Sequence, residues 1–277
     1  MGSEMCIRDS YLIHPYRPHL SFDLKKTKEL FAFGKWILGS SILIFLFTQG
    51  DDIFVGKILS ATALGSYQMA YRISNAPATE ITHVISQVTF PAYARLQDNL
   101  LRLRETYLQV VKITAFIFFP LAGIIFMFAF PFTHIVLGNK WLPMVPAMQL
   151  LTLYGAMRAL GATTGPLFQS IGKPQISTKL QAMQVFIMFA LLYPLILHRG
   201  ISGAGLALVL TGIIMNFFVY RNVLKEIHCT LGDFLKAVSL PLVNTILMIG
   251  FLFVLMHFVY IDCMLRLIGA LIFAGTI

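Results

Sequence analysis

Apolar residues fall in long blocks separated by short polar stretches. The blocks run from about Phe31 to Thr48, Val110 to Val136, Met144 to Ile171, Leu180 to Leu197, Ile201 to Tyr220 and Phe234 to Val259. A final run, Met264 to Ile277, has 14 residues and is read as truncated. A hydrocarbon core about 30 Å thick is crossed by ~20 apolar residues in a helix, so each block is predicted to span. A further helix, about Thr62 to Arg95, is more polar. At 1.5 Å per residue it would measure roughly 50 Å, so it must protrude or tilt. The pattern predicts an all-α polytopic membrane protein, a helical bundle with about eight transmembrane helices. No alternation of polar and apolar positions suggests a β-barrel.

Composition narrows the class further. The 277 residues are 57% hydrophobic and 12% charged, against the ~25% charge of soluble domains. Mean hydropathy is +0.78. The net charge of +9 does not point to nucleic acid here, because cytoplasmic loops of membrane proteins carry excess Lys and Arg. Alternate loops test that reading. On one side lie Arg17, Lys25, Lys26, Lys28, Arg95, Arg102, Arg104, Lys173, Lys179, Arg221, Lys225 and Lys236; on the other, Lys57, Lys140, Arg199 and Arg266. The richer side is predicted to be cytoplasmic. All connections are short, and none could house a soluble catalytic domain.

Residues 1–10 (MGSEMCIRDS) match neither a signal peptide nor a span and are read as a foreign leader. Residues 11–30 form a basic cytoplasmic segment. Residues 31–225 form one helical bundle, and 226–277 hold additional, incomplete C-terminal helices. The three cysteines, Cys6, Cys229 and Cys263, give no disulfide framework.

Charge inside a span is costly and marks a bundle interior or a wet cavity. Lys35, Arg72, Glu80, His83, Lys112 and Arg158 qualify, with Asp51 and Asp52 at a helix end. On the second helix Arg72, Asn75, Thr79, Thr82 and Ser86 recur at steps of three or four and form one polar stripe, beside a second of Glu80, His83 and Gln87. Two readings follow: a helix lining a water-filled cavity, or an internal network such as Glu80 with Lys35 or Arg158. Arg158 lies among small residues, with Gly161 and Gly165 at the GxxxG spacing that lets helices approach. Its guanidinium could bind phosphate through two parallel hydrogen bonds or serve in a structural ion pair. No catalytic or metal-ligating constellation is present in the sequence, and no cofactor is implied.

Ordered motifs carry a resemblance. Gln49–Leu59 (QGDDIFVGKIL) leads into Ala63–Arg72 (ALGSYQMAYR); Phe90–Gln97 (FPAYARLQ), Ile171–Pro174 (IGKP) and the Gly203-x-Gly205-x-Ala207 helix start follow. Together they resemble the bacterial polysaccharide flippases, Wzx-type transporters of the MOP superfamily, over about residues 15–277. The resemblance implies a MATE-like fold whose second bundle is this chain, without the first. It implies a substrate of undecaprenyl-pyrophosphate-linked oligosaccharide, flipped across the bacterial inner membrane by alternating access. It also implies contact with the bilayer and, as further partners, a polysaccharide polymerase and other export machinery. On this expectation Arg72, Asn75, Thr79, Arg158 and Lys35 line a substrate cavity, while Asp51, Glu80 and His83 serve ion pairing or coupling. A cation-coupled multidrug exporter of the same superfamily would favour acidic cavity residues, and the cations outnumber the acids here. A membrane-embedded transferase would need a catalytic loop. A scaffold subunit would not need the wet second helix.

Overall fold

A computed structural model describes residues 42, 43 and 45–274, all in helices and short turns. Lys35, the leader and the basic segment to residue 30 lie outside the described residues. Helix α1 covers residues 45–58. It carries Asp51 and Asp52 inside a helix, where the sequence reading placed a link after Thr48. Apolar Ile53, Phe54, Val55 and Ile58 sustain it, and the break comes later, at Ser60. There the Ser60 hydroxyl accepts from the Ala63 N–H at 3.1 Å and caps α2, Ala61–Leu96.

Asn99 caps α3, Leu100–Phe132, by accepting from the Arg102 N–H. A π turn, Thr133–Leu137, and a 3-10 turn, Asn139–Met144, connect α3 to α4, Val145–Ala162. The helix stops at Thr163 and resumes as α5, Thr164–Ser170. Pro166, which has no N–H and would crowd the carbonyl one turn earlier, accounts for the interruption. The Thr163 and Thr164 hydroxyls donate to the carbonyls of Leu160 and Gly161 at 2.8 and 2.6 Å, satisfying groups the break releases.

Helix α6, Pro174–Glu226, is a hairpin. Straight, it would measure roughly 80 Å. Instead Lys173 Nζ donates to Glu226 Oε2 at 2.5 Å, so its two ends meet. The reversal sits at Gly200, with φ 60° and ψ −136°, a backbone region that glycine enters at little cost. The two arms, 174–199 and 201–226, correspond to the two spans expected there. Helix α7, Leu231–Ala274, runs without the break expected near residues 260–263.

Among the described residues, three helical stretches are long and apolar enough to cross a membrane: Leu100–Leu137, Gln175–Glu226 and Leu231–Val254. Helix α2 is long enough but too polar to count among them. The chain is an all-α polytopic membrane protein. Helix α4 sits centrally, against α2, α3 and α6, and α7 packs along α3. One core gathers Tyr67, Met148, Leu151, Tyr154, Met188 and Leu192. Another gathers Tyr93, Tyr107, Val111, Leu167, Phe168 and Val223. Large apolar side chains such as Phe116, Phe130, Phe186, Phe217 and Phe251 are exposed, as lipid contact requires.

The α2–α3 turn, the α5–α6 turn and the α6–α7 linker meet at one end, around a cavity of about 590 Å³ that touches Asp98, Lys173, Lys225 and His228. Arg104 donates to the His228 carbonyl at 3.2 Å and pairs with Asp233. Three loops expected on one side of the membrane are thus brought together.

Candidate functional site

Helix α2 exposes Arg72, Ala76, Thr79, Glu80, His83 and Gln87, one face on steps of three and four. All of these but Ala76 are polar, and the two stripes read from the sequence contribute to this face, while Val84, Val88 and Phe90 are exposed farther along the same helix. Lipid solvates the charged part of this face, Arg72 to His83, poorly, so water or further polypeptide suits it better. Asn75 leaves the stripe. It sits roughly 60° round the helix from Arg72, is 1% exposed, and its amide donates to the Leu151 carbonyl at 3.4 Å. Ser74 beside it donates to the Met148 carbonyl at 2.8 Å. Asn75 is thus buried against α4, and its Oδ1 has no hydrogen-bond partner among the described residues. Its contact is the close approach of α2 to α4: a Cβ on Gly155 would lie 3.0 Å from Asn75 Oδ1.

Arg158 reaches from α4 to α2. Its Nη2 donates to Thr79 Oγ1 at 2.6 Å and its Nη1 to the Tyr71 hydroxyl at 3.3 Å. The guanidinium has five N–H donors, so others remain available to the cavity it lines. That cavity, about 230 Å³, lies between α4, α5 and α6, with Ser177, Gln181, Gln184 and Asn216 on its wall. Gly161 and Gly165 line it too. A Cβ on Gly161 would meet only Asn216 Oδ1, at 3.7 Å, and one on Gly165 nothing within 4 Å. The GxxxG spacing thus opens space here and does not bring two helices together.

A second cavity, about 280 Å³, is lined by Thr48, Gln49, Asp51, Asp52, Gln68, Tyr71 and Arg72. Asp51 is 5% exposed and accepts from the Tyr67 hydroxyl at 2.6 Å. Asp52 accepts from Gln68 Nε2 at 3.0 Å. Among the described residues the ion pairs are Arg104–Asp233 and Lys173–Glu226. Among the described residues Asp51, Glu80 and His83 form none, so Glu80 is not paired with Arg158; Lys35, the other partner the sequence allowed, lies outside the described residues. Arg72 has no hydrogen-bond or ion-pair partner among the described residues, although it shares its cavity with two carboxylates.

Sequence reasoning on charge missed Tyr67, Tyr71 and the amides. A signal for the amides existed: Ser177, Gln181 and Gln184 stand four and three apart, a polar stripe in an otherwise apolar span. Tyr67 and Tyr71 carried no comparable signal, because tyrosine suits a core as well as a polar contact.

The polar elements α1 and α2, with α3 and its following turns, fall within residues 5–146, which match the profile of a known family, the polysaccharide biosynthesis proteins. The chain belongs to that family. It is 28% identical to the lipopolysaccharide biosynthesis protein WzxC of Escherichia coli, over 76% of this chain and 43% of that protein. It is 31% identical to the teichuronic acid biosynthesis protein TuaB of Bacillus subtilis, over 58% of this chain and 34% of that protein. A Klebsiella pneumoniae membrane protein in the cps region is 28% identical, over 86% of this chain and 49% of its own length. The chain thus spans about half the length, or less, of these relatives. No solved structure matches it.

Proposed function

We propose that the chain supplies one helical bundle of a transporter, not an enzyme. The transporter flips polyprenyl-pyrophosphate-linked oligosaccharide, an O-antigen, capsule or exopolysaccharide repeat unit, from the cytoplasmic to the periplasmic leaflet of the bacterial inner membrane. The observation that carries this reading is the state of Arg72 and Arg158. Arg72 stands on the exposed face of α2 and Arg158 reaches from α4 to α2, and neither forms an ion pair with an acid among the described residues. The Arg158 guanidinium, held by the neutral Thr79 and Tyr71, keeps its charge and further N–H groups for phosphate oxygens. The exposed polar face of α2 is the wall on which a second bundle would close, with alternating access arising from rocking of the two. The names of the relatives, in lipopolysaccharide and teichuronic acid biosynthesis, support a lipid-linked glycan over a drug cation.

In this reading the end formed by the α2–α3 turn, the α5–α6 turn and the α6–α7 linker faces the cytoplasm, where its lysines and arginines belong. Deleting the gene should abolish surface polysaccharide and leave lipid-linked repeat units on the cytoplasmic leaflet. If those units were made and reached the periplasmic leaflet at the normal rate, the flipping role would be lost. Drug sensitivity with intact polysaccharide would instead indicate an exporter.

A further inference from the structure

A third cavity, at the end of the bundle where three connections meet, measures about 590 Å³, within the ~300–1,000 Å³ of small-ligand sites. Its wall joins Asp98 and Leu100, at the α2–α3 turn, to Lys225, Glu226 and His228, at the close of α6. The Lys173–Glu226 pair accounts for two of its charges. Asp98, Lys225 and His228 are exposed, and their side chains form no hydrogen bond or ion pair among the described residues. His228 stands in the turn that ends α6, at φ 50°, where the Cys229 N–H donates back to the Leu224 carbonyl at 3.1 Å. Glycine is the usual residue at that left-handed position; here it carries an imidazole. The cavity also has a defined depth. Leu100 begins one membrane-spanning stretch and Glu226 ends another. Leu101 is 73% exposed, and Leu231, which begins the third stretch, 64%. Bare apolar side chains at the ends of spanning helices belong at the boundary between hydrocarbon and headgroups.

We propose that this cavity binds the head of phosphatidylethanolamine, a phosphodiester that carries a primary ammonium. The proposal goes beyond the flipping reading and does not depend on the cargo. The ammonium would donate to the Asp98 carboxylate. The phosphate would accept from Lys225 Nζ and the His228 ring N–H, as charge-assisted hydrogen bonds. Leu100 and Ile171, also on the wall, would meet the glycerol and the first acyl carbons. The balance of charge selects this head. Basic pockets between helices suit anionic heads, but here one unpaired ammonium shares the wall with one unpaired carboxylate. Phosphatidylglycerol has no cation for Asp98. Phosphatidylcholine has the cation but no N–H to donate. The bound lipid would tie the α2–α3 turn to the end of α6, beside the Arg104–Asp233 pair that ties α3 to α7.

Native mass spectrometry of the purified chain tests this, with phosphatidylethanolamine, phosphatidylglycerol and phosphatidylcholine of identical acyl chains. Phosphatidylethanolamine should be retained about threefold or more over either of the others, the worth of partly exposed charge contacts. Asp98→Asn should level the three lipids, and Lys225→Gln should lower retention of all of them. Neither should lower thermal stability in lipid-free detergent, because both side chains are exposed and unpaired. Asp98→Lys should reverse the preference in favour of phosphatidylglycerol, an outcome that damage to the fold would not give. Soluble glycerophosphoethanolamine should not displace the lipid at equal concentration, since it lacks the acyl chains. Equal retention of the three lipids by the unaltered chain, a preference that survives Asp98→Lys, or displacement by the soluble head would overturn the site and leave the flipping reading intact.

Discussion

The two cavities share Tyr71 as a neighbour and solve the same problem with opposite charge. In the cavity beside α1, Asp51 is buried and held by the Tyr67 hydroxyl, and Asp52 by Gln68. In the cavity between α4, α5 and α6, Arg158 is held by Thr79 and Tyr71. Neither cavity neutralises its charge with an ion pair among the described residues. Ion pairs appear instead at the end of the bundle, where Arg104–Asp233 and Lys173–Glu226 tie loops together. The difference is instructive. A pair cancels the field that a ligand would feel, whereas neutral hydrogen bonds steady a charged group and leave its field in place. The carboxylate cavity has a free cation, Arg72, on its wall; the amide cavity has an anchored one. Geometry is therefore fixed at Arg158 and adaptable at Arg72.

That contrast predicts unequal losses. Arg158→Ala should reduce glycan export on the order of 10–100-fold, because charge-assisted hydrogen bonds are worth ~1.5–3 kcal/mol. Arg158→Lys should rescue little, since one ammonium cannot reproduce the fork that spans Thr79 and Tyr71. Measuring export and membrane abundance together checks this; full export by the alanine variant would remove Arg158 from the mechanism.

Arg72→Ala should cost less, about tenfold in export, with normal abundance because no partner is left behind. Arg72→Lys should recover part of it. If Arg72→Ala folds poorly and removing Asp51 as well restores function, Arg72 pairs with that acid in the membrane and the contrast between the two arginines collapses.

Tyr67→Phe should destabilise the fold by ~1.5–3 kcal/mol, since it removes one buried donor to a carboxylate. A thermal melt in detergent checks it. Asp51→Asn in the same background should recover most of the loss, because an amide needs the tyrosine less than a carboxylate does.

The smallest perturbation asks which leaflet the amide cavity faces. Its residues Ser177 and Val219 lie near the ends of the α6 arms that converge on Lys173 and Glu226. A cysteine at exposed Arg102 should escape an impermeant maleimide added outside intact cells; labelling there would invert the orientation. The native Cys229 should contribute little background. It is 9% exposed, and burial pushes its thiol pKa up. A raised pKa means less thiolate than a free cysteine has at about pH 7–8, so its labelling should be slow and increase as the pH rises.

Much of the architecture was legible in the chain alone, because the relevant physics is local. Long apolar blocks, the turn before Ile201, and the richness of alternate loops in Lys and Arg follow from composition and nearest neighbours. The α6 hairpin realises that reading at Gly200. The family resemblance rested on motifs that are likewise local. Tertiary structure decided what each helix does with its circumference. A helix sequence gives the angular spacing of its side chains but not which neighbour stands at each angle. Asn75 read as part of the Arg72 stripe, and the position of α4 turned it inward onto Leu151. Gly161 and Gly165 read as a packing motif, and a local gap in the packing of α4 and α5 on α6 left them lining a cavity. Arg158 admitted an ion pair or a phosphate contact, and only the approach of α2 supplied Thr79 and Tyr71 as its anchors. The Asn75 and Arg158 outcomes depend on contacts between residues more than 70 positions apart, and no local pattern encodes them.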